Sequence, residues 1–252
     1  MKNRERELKT ILTGQQFDRD GDCDALVSRA LTWAKGYAMA TEGVAVLSDF
    51  HKKECHICSG KFGSNFYGLP DYSVDSNSAF ESEIFNSVIS EDILERHILE
   101  IRFFNFLKTI PSGKKSDYHA SCILRLRGER KLTILHTTHY LEFYPNGNVW
   151  LALCTYVPVP QLKCPIQGSI YNIETGVAVE RGAYAGDSCC LLSKRQSEIL
   201  AYLAKGLVSK QVAERLGISH HTVNRHRQDI LAALRVDNTT AAVQIALRLG
   251  II

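Results

Sequence analysis

Near the end of this 252-residue chain, Ser209-Lys210-Gln211-Val212-Ala213-Glu214-Arg215-Leu216-Gly217-Ile218-Ser219 runs into His220-His221-Thr222-Val223-Asn224-Arg225-His226. Two short amphipathic helices meeting at this point form a helix-turn-helix. Gly217 takes positive φ at no steric cost, and the Ser219 hydroxyl caps the second helix. From His220 onward, Val223, Ile230 and Leu234 recur at helical spacing and form a core stripe. The opposite stripe is His221, Asn224, Arg225 and Gln228. An arginine fork matches the O6/N7 edge of guanine and a side-chain amide the N6/N7 edge of adenine, so this stripe is suited to reading bases. Arg227 and His220 lie on the flank, where phosphate contact is expected. A solvated surface helix would show the polar face alone, whereas here a preceding helix and turn accompany it.

The flanks complete a four-helix unit. Ser193 and Gln196 have capping-box spacing, with Ile199, Leu200, Leu203 and Ala204 on the apolar face up to Lys205-Gly206. A last helix from Thr239 to Leu249 buries Ala242, Val243 and Ala246. This region resembles the LuxR-type (GerE-like) DNA-binding domain. The resemblance rests on Leu192-Ser193-x-Arg195, Glu198-Ile199-Leu200, Ala204-x-Gly206, Ser209-Lys210, Val212-Ala213, Leu216-x-Ile218-Ser219, Thr222-Val223, His226, Ile230, Leu234-x-Val236, Ala242-Val243 and Gly250-Ile251. It implies that Lys210 and Thr222 meet the DNA backbone, that Asn224, Arg225 and Gln228 face the major groove, and that the fourth helix is a dimer contact. The family commonly has lysine at the position of Asn224 and arginine at that of Thr239, so its preferred base sequence does not transfer.

Charge is distributed accordingly. Residues 189–252 carry nine Lys and Arg against four Asp and Glu, a net +5, while the whole chain is +3 and the first 188 residues are therefore −2. Positive charge is concentrated where a polyanion is expected. A content of 45% hydrophobic and 23% charged residues is that of a globular protein of one or two domains. The start, Met1-Lys2-Asn3-Arg4-Glu5-Arg6-Glu7-Leu8, lacks a signal-peptide apolar stretch, and no apolar run reaches bilayer-spanning length. A cytoplasmic location without membrane contact is expected.

The first part of the chain predicts a hairpin from Gly43–Ser48 and Glu54–Cys58, then an irregular stretch from Gly60 to Ser78. A long helix follows from a Ser90-Glu91-Asp92 cap to about Leu107, then strands near 116–126, 131–143 and 149–157, the last two joined at Pro145-Asn146-Gly147. Pro158-Val159-Pro160 ends the last strand, Gly168–Val179 adds a small hairpin, and Arg181–Ser188 reads as a linker. The segment Lys2–Leu12 is helical and charged. Two strands, helices, then three antiparallel strands is the order of a PAS domain, which this part resembles. The resemblance implies a pocket between sheet and helices or a surface for protein partners. The fold expected is α+β: a PAS-like antiparallel sheet with covering helices, then a small all-α helix-turn-helix domain. The expected boundaries are 1–30 for an N-terminal helical segment, 31–165 for the PAS-like domain, 166–188 for hairpin and linker, and 189–252 for the LuxR-type domain.

Other chemistries find less support. Of eight cysteines, only Cys55-His56-Ile57-Cys58 has a suggestive spacing. Residues three apart on a strand point to opposite faces, so the two thiols cannot share a metal unless the strand breaks between them, and Cys154, Cys164 and His51 lack matching spacing as further zinc ligands. Cys189 and Cys190 read as linker residues. Tyr118, His119, Cys122, His136, His139, Tyr140 and Cys154 lie on predicted strands, but an inward histidine is a core residue before it is a haem ligand, and Phe103-Phe104-Asn105-Phe106 is core before it is a cofactor box. Asp71–Asp75 reads as a loop, which argues against aspartyl phosphorylation. With no phosphate-cradling glycine loop and no G-x-S-x-G elbow, no enzyme is expected, and no cofactor. The reading is a transcription regulator that binds double-stranded DNA as a homodimer, through helix Thr239–Leu249 and the PAS-like domain, with RNA polymerase as a further partner. The alternatives are a redox- or metal-responsive regulator using Cys55 and Cys58, and a sigma-factor-like promoter-recognition subunit, which needs a helical region upstream and lacks the fourth helix.

Overall fold

A computed structural model describes residues 2–17, 23–128, 132–160, 168–184 and 191–252. It divides into two compact units, Met1–Tyr184 and Ala185–Ile252. Unit 1 opens with helices α1 (Lys2–Thr13) and α2 (Cys23–Thr41), followed by strands β1 (Val44–Asp49) and β2 (Glu54–Ser59). Helix α3 (Lys61–Tyr67), strand β3 (Tyr72–Asp75) and helices α4 (Ser82–Asn86) and α5 (Ser90–Lys108) come next. A 3-10 turn, Ser112–Asp117, leads into β4 (Tyr118–Arg125), β5 (Thr133–Phe143), β6 (Val149–Val159) and β7 (Ser169–Asn172). The seven strands form one antiparallel sheet in the order β3-β2-β1-β6-β5-β4-β7.

The inner strands lack polar alternation because both faces of the sheet are covered there. On one face the alanines of α2, Ala30, Ala34 and Ala38, lie against Ala45, Leu47, Cys58, Leu151 and Leu153. Their small side chains let the helix approach the sheet closely. On the other face α5 reaches over β5 and β6, where the Arg96 guanidinium donates to His136 Nε2 at 3.2 Å and lies 3.9 Å from Cys154 Sγ. The β1–β2 turn is tied by the buried Asp49, whose Oδ1 accepts from the amides of His51 (3.0 Å) and Lys52 (2.9 Å) and from Trp150 Nε1 (3.2 Å). Where α2 hands over to the sheet, a Cβ on Gly60 would lie 2.6 Å from the Glu42 backbone, so only glycine fits.

Several expectations are corrected. The stretch 60–78 is ordered as α3 and β3, so Tyr72–Asp75 is an edge strand paired with β2 rather than a loop. Helix α2 runs through the expected 30/31 boundary, and α1 packs on α5 with Leu8 and Leu12 buried. Ser90 lies in the first turn of α5 and caps nothing; the N-cap is Ile89 with no side-chain bond. Asp92 serves β4 instead, accepting from the Arg125 amide at 2.7 Å and from its guanidinium at 2.6 Å. Strand β6 continues through Pro158 to Val159, because β1 pairing ends at Tyr156 and no ladder bond is needed from the proline on that side. The hairpin after residue 168 forms, with β7 paired to β4 and its return through the Tyr171–Ala178 bridge. Of the expected linker, residues 181–184 end unit 1 and residues 185–188 lie outside the described residues.

Between α5 and the sheet lies a polar cluster. Arg96 pairs with Glu100 at 2.5 Å, one helical turn on, and Tyr156 donates its hydroxyl proton to Glu81. His136 and Thr138 share a bond at 3.1 Å, and the ring of Tyr140 stacks on Phe103. Burial drives His97 down to about 3 and His139 to about 4, and lowers His119 and His136 as well. Arg96 adds to the effect at His97 and His136. Burial lifts Glu100 to about 7 against the pull of Arg96.

These shifts set the pH dependence of stability. An unfolded histidine takes up a proton near pH 6.5 while these folded ones do not, so stability falls as pH drops through 6.5 toward 4. Glu100 acts oppositely between about 7 and its unfolded value, but four histidines outweigh one carboxylate. The urea-unfolding free energy is expected to decrease from pH 7 to pH 5. His97→Gln is expected to flatten that slope by about 1.4 kcal/mol per pH unit, the equivalent of one proton. A slope of the opposite sign would show that the histidines are charged inside the fold.

Candidate nucleic-acid interface

Unit 2 consists of α6 (Lys194–Ala204), α7 (Ser209–Leu216), α8 (His220–Leu234) and α9 (Thr239–Leu249). Its core gathers Ile199 and Leu200 from α6, Val212 from α7, Val223, Ile230 and Leu234 from α8, and Ala242 and Ala246 from α9, all essentially without exposed surface. Val243 is only half-buried.

The helix ends are fixed by their own residues. Ser193 and Gln196 form the capping box of α6. Gly217, at φ 64°, closes α7 in the left-handed conformation and turns the chain into α8. Ser219 Oγ then accepts from the Thr222 amide at 3.0 Å and bonds the Thr222 hydroxyl at 2.8 Å. Asn238 caps α9 through the Ala241 amide at 2.9 Å. An arginine with no role assigned from spacing ties the first two helices: Arg195 donates through Nη2 to the Leu216 carbonyl at 3.0 Å and through Nη1 to Glu198 at 2.7 Å. Its location in the first turn of α6 was visible in sequence, whereas its acceptor at the end of α7 depends on how the helices cross.

With Val223, Ile230 and Leu234 turned into the core, α8 presents His221, Arg225 and Gln228 exposed and Asn224 half-buried. Residues 221, 224, 225 and 228 share one helical face. Asn224 Nδ2 lies 3.4 Å from His220 Nδ1, and Thr222 lies half-buried beside its capping bond. Lys210 is exposed in the first turn of α7. Arg227, expected on the phosphate flank, is half-buried and bonded within the unit. Its Nη1 donates to Ser209 Oγ at 2.8 Å and its Nη2 to Thr239 Oγ1 at 2.9 Å, so the guanidinium bridges α7, α8 and α9. Both acceptors lie on other helices, and no spacing within α8 reveals them.

The thiols of unit 1 form no comparable site. Cys55 is paired opposite Ser48 and Cys58 opposite Ala45, which places them on opposite faces of the sheet. Both are buried, and burial pushes both thiols up, away from the reactive thiolate. His51 is engaged with the Tyr144 hydroxyl at 2.7 Å. Among the described residues no group of three His, Cys, Asp or Glu is placed to hold a metal, and Cys164, Cys189 and Cys190 lie outside them. No described helix is long and apolar enough to cross a membrane.

Comparison with known proteins agrees with the geometry of unit 2. Residues 191–246 match the model of the family described as bacterial regulatory proteins, luxR family. Oxygen regulatory protein NreC of Staphylococcus aureus (strain USA300) is 40% identical over 111 residues, 44% of this chain and 51% of the relative. The chain thus spans about half the length of the curated relatives it matches. Among solved structures, the phage VqmA–DPO complex aligns over 90% of this chain and 91% of its own, at 14% identity and a TM-score of 0.31. SdiA of Escherichia coli aligns over 99% and 97%, at 15% identity and a TM-score of 0.28. The four helices, their caps and the matched residues together make 191–246 a LuxR-type helix-turn-helix domain.

Proposed function

We propose that this chain is a cytoplasmic, sequence-specific, DNA-binding transcription regulator in which unit 1 is a PAS-like sensory or dimerisation domain. The observation that carries the reading is the face of α8. Its apolar stripe is locked into the core, its start is capped, and His221, Asn224, Arg225 and Gln228 are left toward solvent on a unit of net positive charge. In this reading α8 enters the major groove, Lys210 and Thr222 meet the phosphates, and two copies bind half-sites about one helical turn apart. Helix α9 supports pairing of copies, because Leu247 stands 55% exposed one turn from the half-buried Val243.

The PAS-like reading of unit 1 is supported by its five central strands, which lie in the order β2-β1-β6-β5-β4 with α3, α4 and α5 inserted between the first two strands and the last three. A ligand pocket between α5 and the sheet is supported by polar atoms buried there without hydrogen-bond partners, the Tyr140 hydroxyl and Glu81 Oε2 among them. Such groups are rare in a closed core and call for water or a ligand. The sigma-factor-like alternative needs a helical region where this chain has a seven-stranded sheet, and the thiol sensor needs two accessible cysteines on one face.

Fluorescence anisotropy on a selected operator tests the docking. Arg225→Ala is expected to cost about 1–3 kcal/mol and to relax base preference at one position. Lys210→Ala is expected to weaken all sequences alike and reduce the salt slope by about 1. Equal binding by both variants and the parent would rule out this orientation of α8. Arg227→Met separates positioning from phosphate contact. The bridging role predicts a lower thermal midpoint and weaker binding with an unchanged salt slope, whereas a slope reduced by about 1 would return Arg227 to the phosphates.

A further inference from the structure

Unit 1 holds a second, differently built cleft of about 270 Å³ where the end of α5, the 3-10 turn before β4 and the β5–β6 hairpin meet. Phe104 and Leu107 of α5 and Phe143 and Val149 of the hairpin form its apolar walls, and Lys108 and Lys115 are its cations. Lys115 is unusual for a lysine in being only 6% exposed. Its Nζ donates to the Gly147 carbonyl at 3.0 Å and lies 5.5 Å from the Phe143 ring centroid. The fit at the hairpin tip is close, since a Cβ on Gly147 would come within 2.9 Å of that nitrogen.

An ammonium has three donors, and here one is used on a carbonyl. No carboxylate pairs with Lys115 or Lys108 among the described residues. Lys108 ends α5 with its Nζ 4.3 Å from the Phe104 ring, and its charge joins burial in pushing Lys115 toward the neutral form. Taking an ammonium out of water without a counter-charge is costly, so the pocket is one anion short of balance.

The rim is held by neutral amides already committed elsewhere. Gln15 accepts from the Val149 amide at 3.0 Å and donates to the Val149 carbonyl at 3.1 Å, while Asn146 and Asn148 donate to the Gln16 carbonyl at 3.1 and 2.7 Å. They fix the cleft's shape, and the two ammonium groups are its cationic donors. Two point charges over aromatic and aliphatic walls suit a carboxylate with an apolar body. Inorganic phosphate has no apolar body to set against these walls. The volume lies just under that of ordinary small-molecule pockets, which restricts the occupant to a small molecule.

We propose that this cleft binds a small organic carboxylate, with the carboxylate between Lys115 and Lys108 and the apolar body against Phe104, Leu107, Phe143 and Val149. The site is separate from the cluster around Arg96 and stands whether or not the chain regulates transcription.

Titration calorimetry of the full chain with benzoate tests it, with inorganic phosphate as the comparison anion. Saturable binding at one site per chain is expected, with at least a tenfold loss in Lys115→Met and a several-fold loss in Lys108→Met. In benzoate-free buffer Lys115→Met is expected to be no less stable than the parent, because the substitution removes an unbalanced buried charge. Absence of saturable benzoate binding, or benzoate binding unchanged in Lys115→Met, would overturn the proposal, and phosphate binding as tight as benzoate would overturn the assignment of an apolar body. Should Lys115→Met fail to fold, the exposed Lys108 decides, and parental affinity in Lys108→Met sinks the site.

Discussion

The pairing of β1 with β6 is the constraint on which unit 1 depends. Six residue pairs, from Val44 with Tyr156 to Asp49 with Leu151, join parts of the chain roughly a hundred positions apart. Bringing such distant segments together costs loop entropy before any contact rewards it, so the reward has to be large. It comes from burying both faces at once, with α2 on one side and α5 on the other. The first hairpin and the later strands become one sheet only through this seam, and the polar cluster around Arg96 exists because α5 is held against β5 and β6.

What the sequence revealed and what it hid follow from the range of the interactions involved. The β1–β2 hairpin, α5, the three long strands and all four helices of unit 2 announce themselves in local periodicity and turn residues, and Ser193, Gly217 and Ser219 behave as their types predict. Helix α2 escapes because its buried positions are alanines while Trp33 and Met39 face solvent, which inverts the hydrophobic signal. Helix α3 is short and lies between Gly60 and Gly68, and β3 has only four residues, so neither fills a period. Ser90 shows that a good capping residue does not cap when the neighbouring strand sets the helix start. At the interface, the exposed stripe of α8 was legible in full, whereas the Arg195 and Arg227 bridges were not, since a side chain's partner on another helix leaves no trace in spacing.

In unit 2 the exposed and buried halves of α8 are mechanically linked. Three core residues fix its rotation, the Ser219 cap fixes its first turn, and Arg227 fixes its flank to α7 and α9. The base reading proposed for α8 requires such a frame, because a shift of an ångström moves a bidentate contact out of range. The frame accounts for why Arg227 bridges helices in a unit of net positive charge.

The sheet of unit 1 ends on both sides in strands of four residues, β3 and β7, while its 11-residue strands β5 and β6 lie inside. A long apolar strand with an open edge recruits further strands from other molecules. Here β3 and β7 act as short bumpers, so the segments most prone to stack into fibrils are sealed by their own neighbours. Loss of either border strand bares the edge of β2 or β4, and so threatens solubility before it threatens the fold.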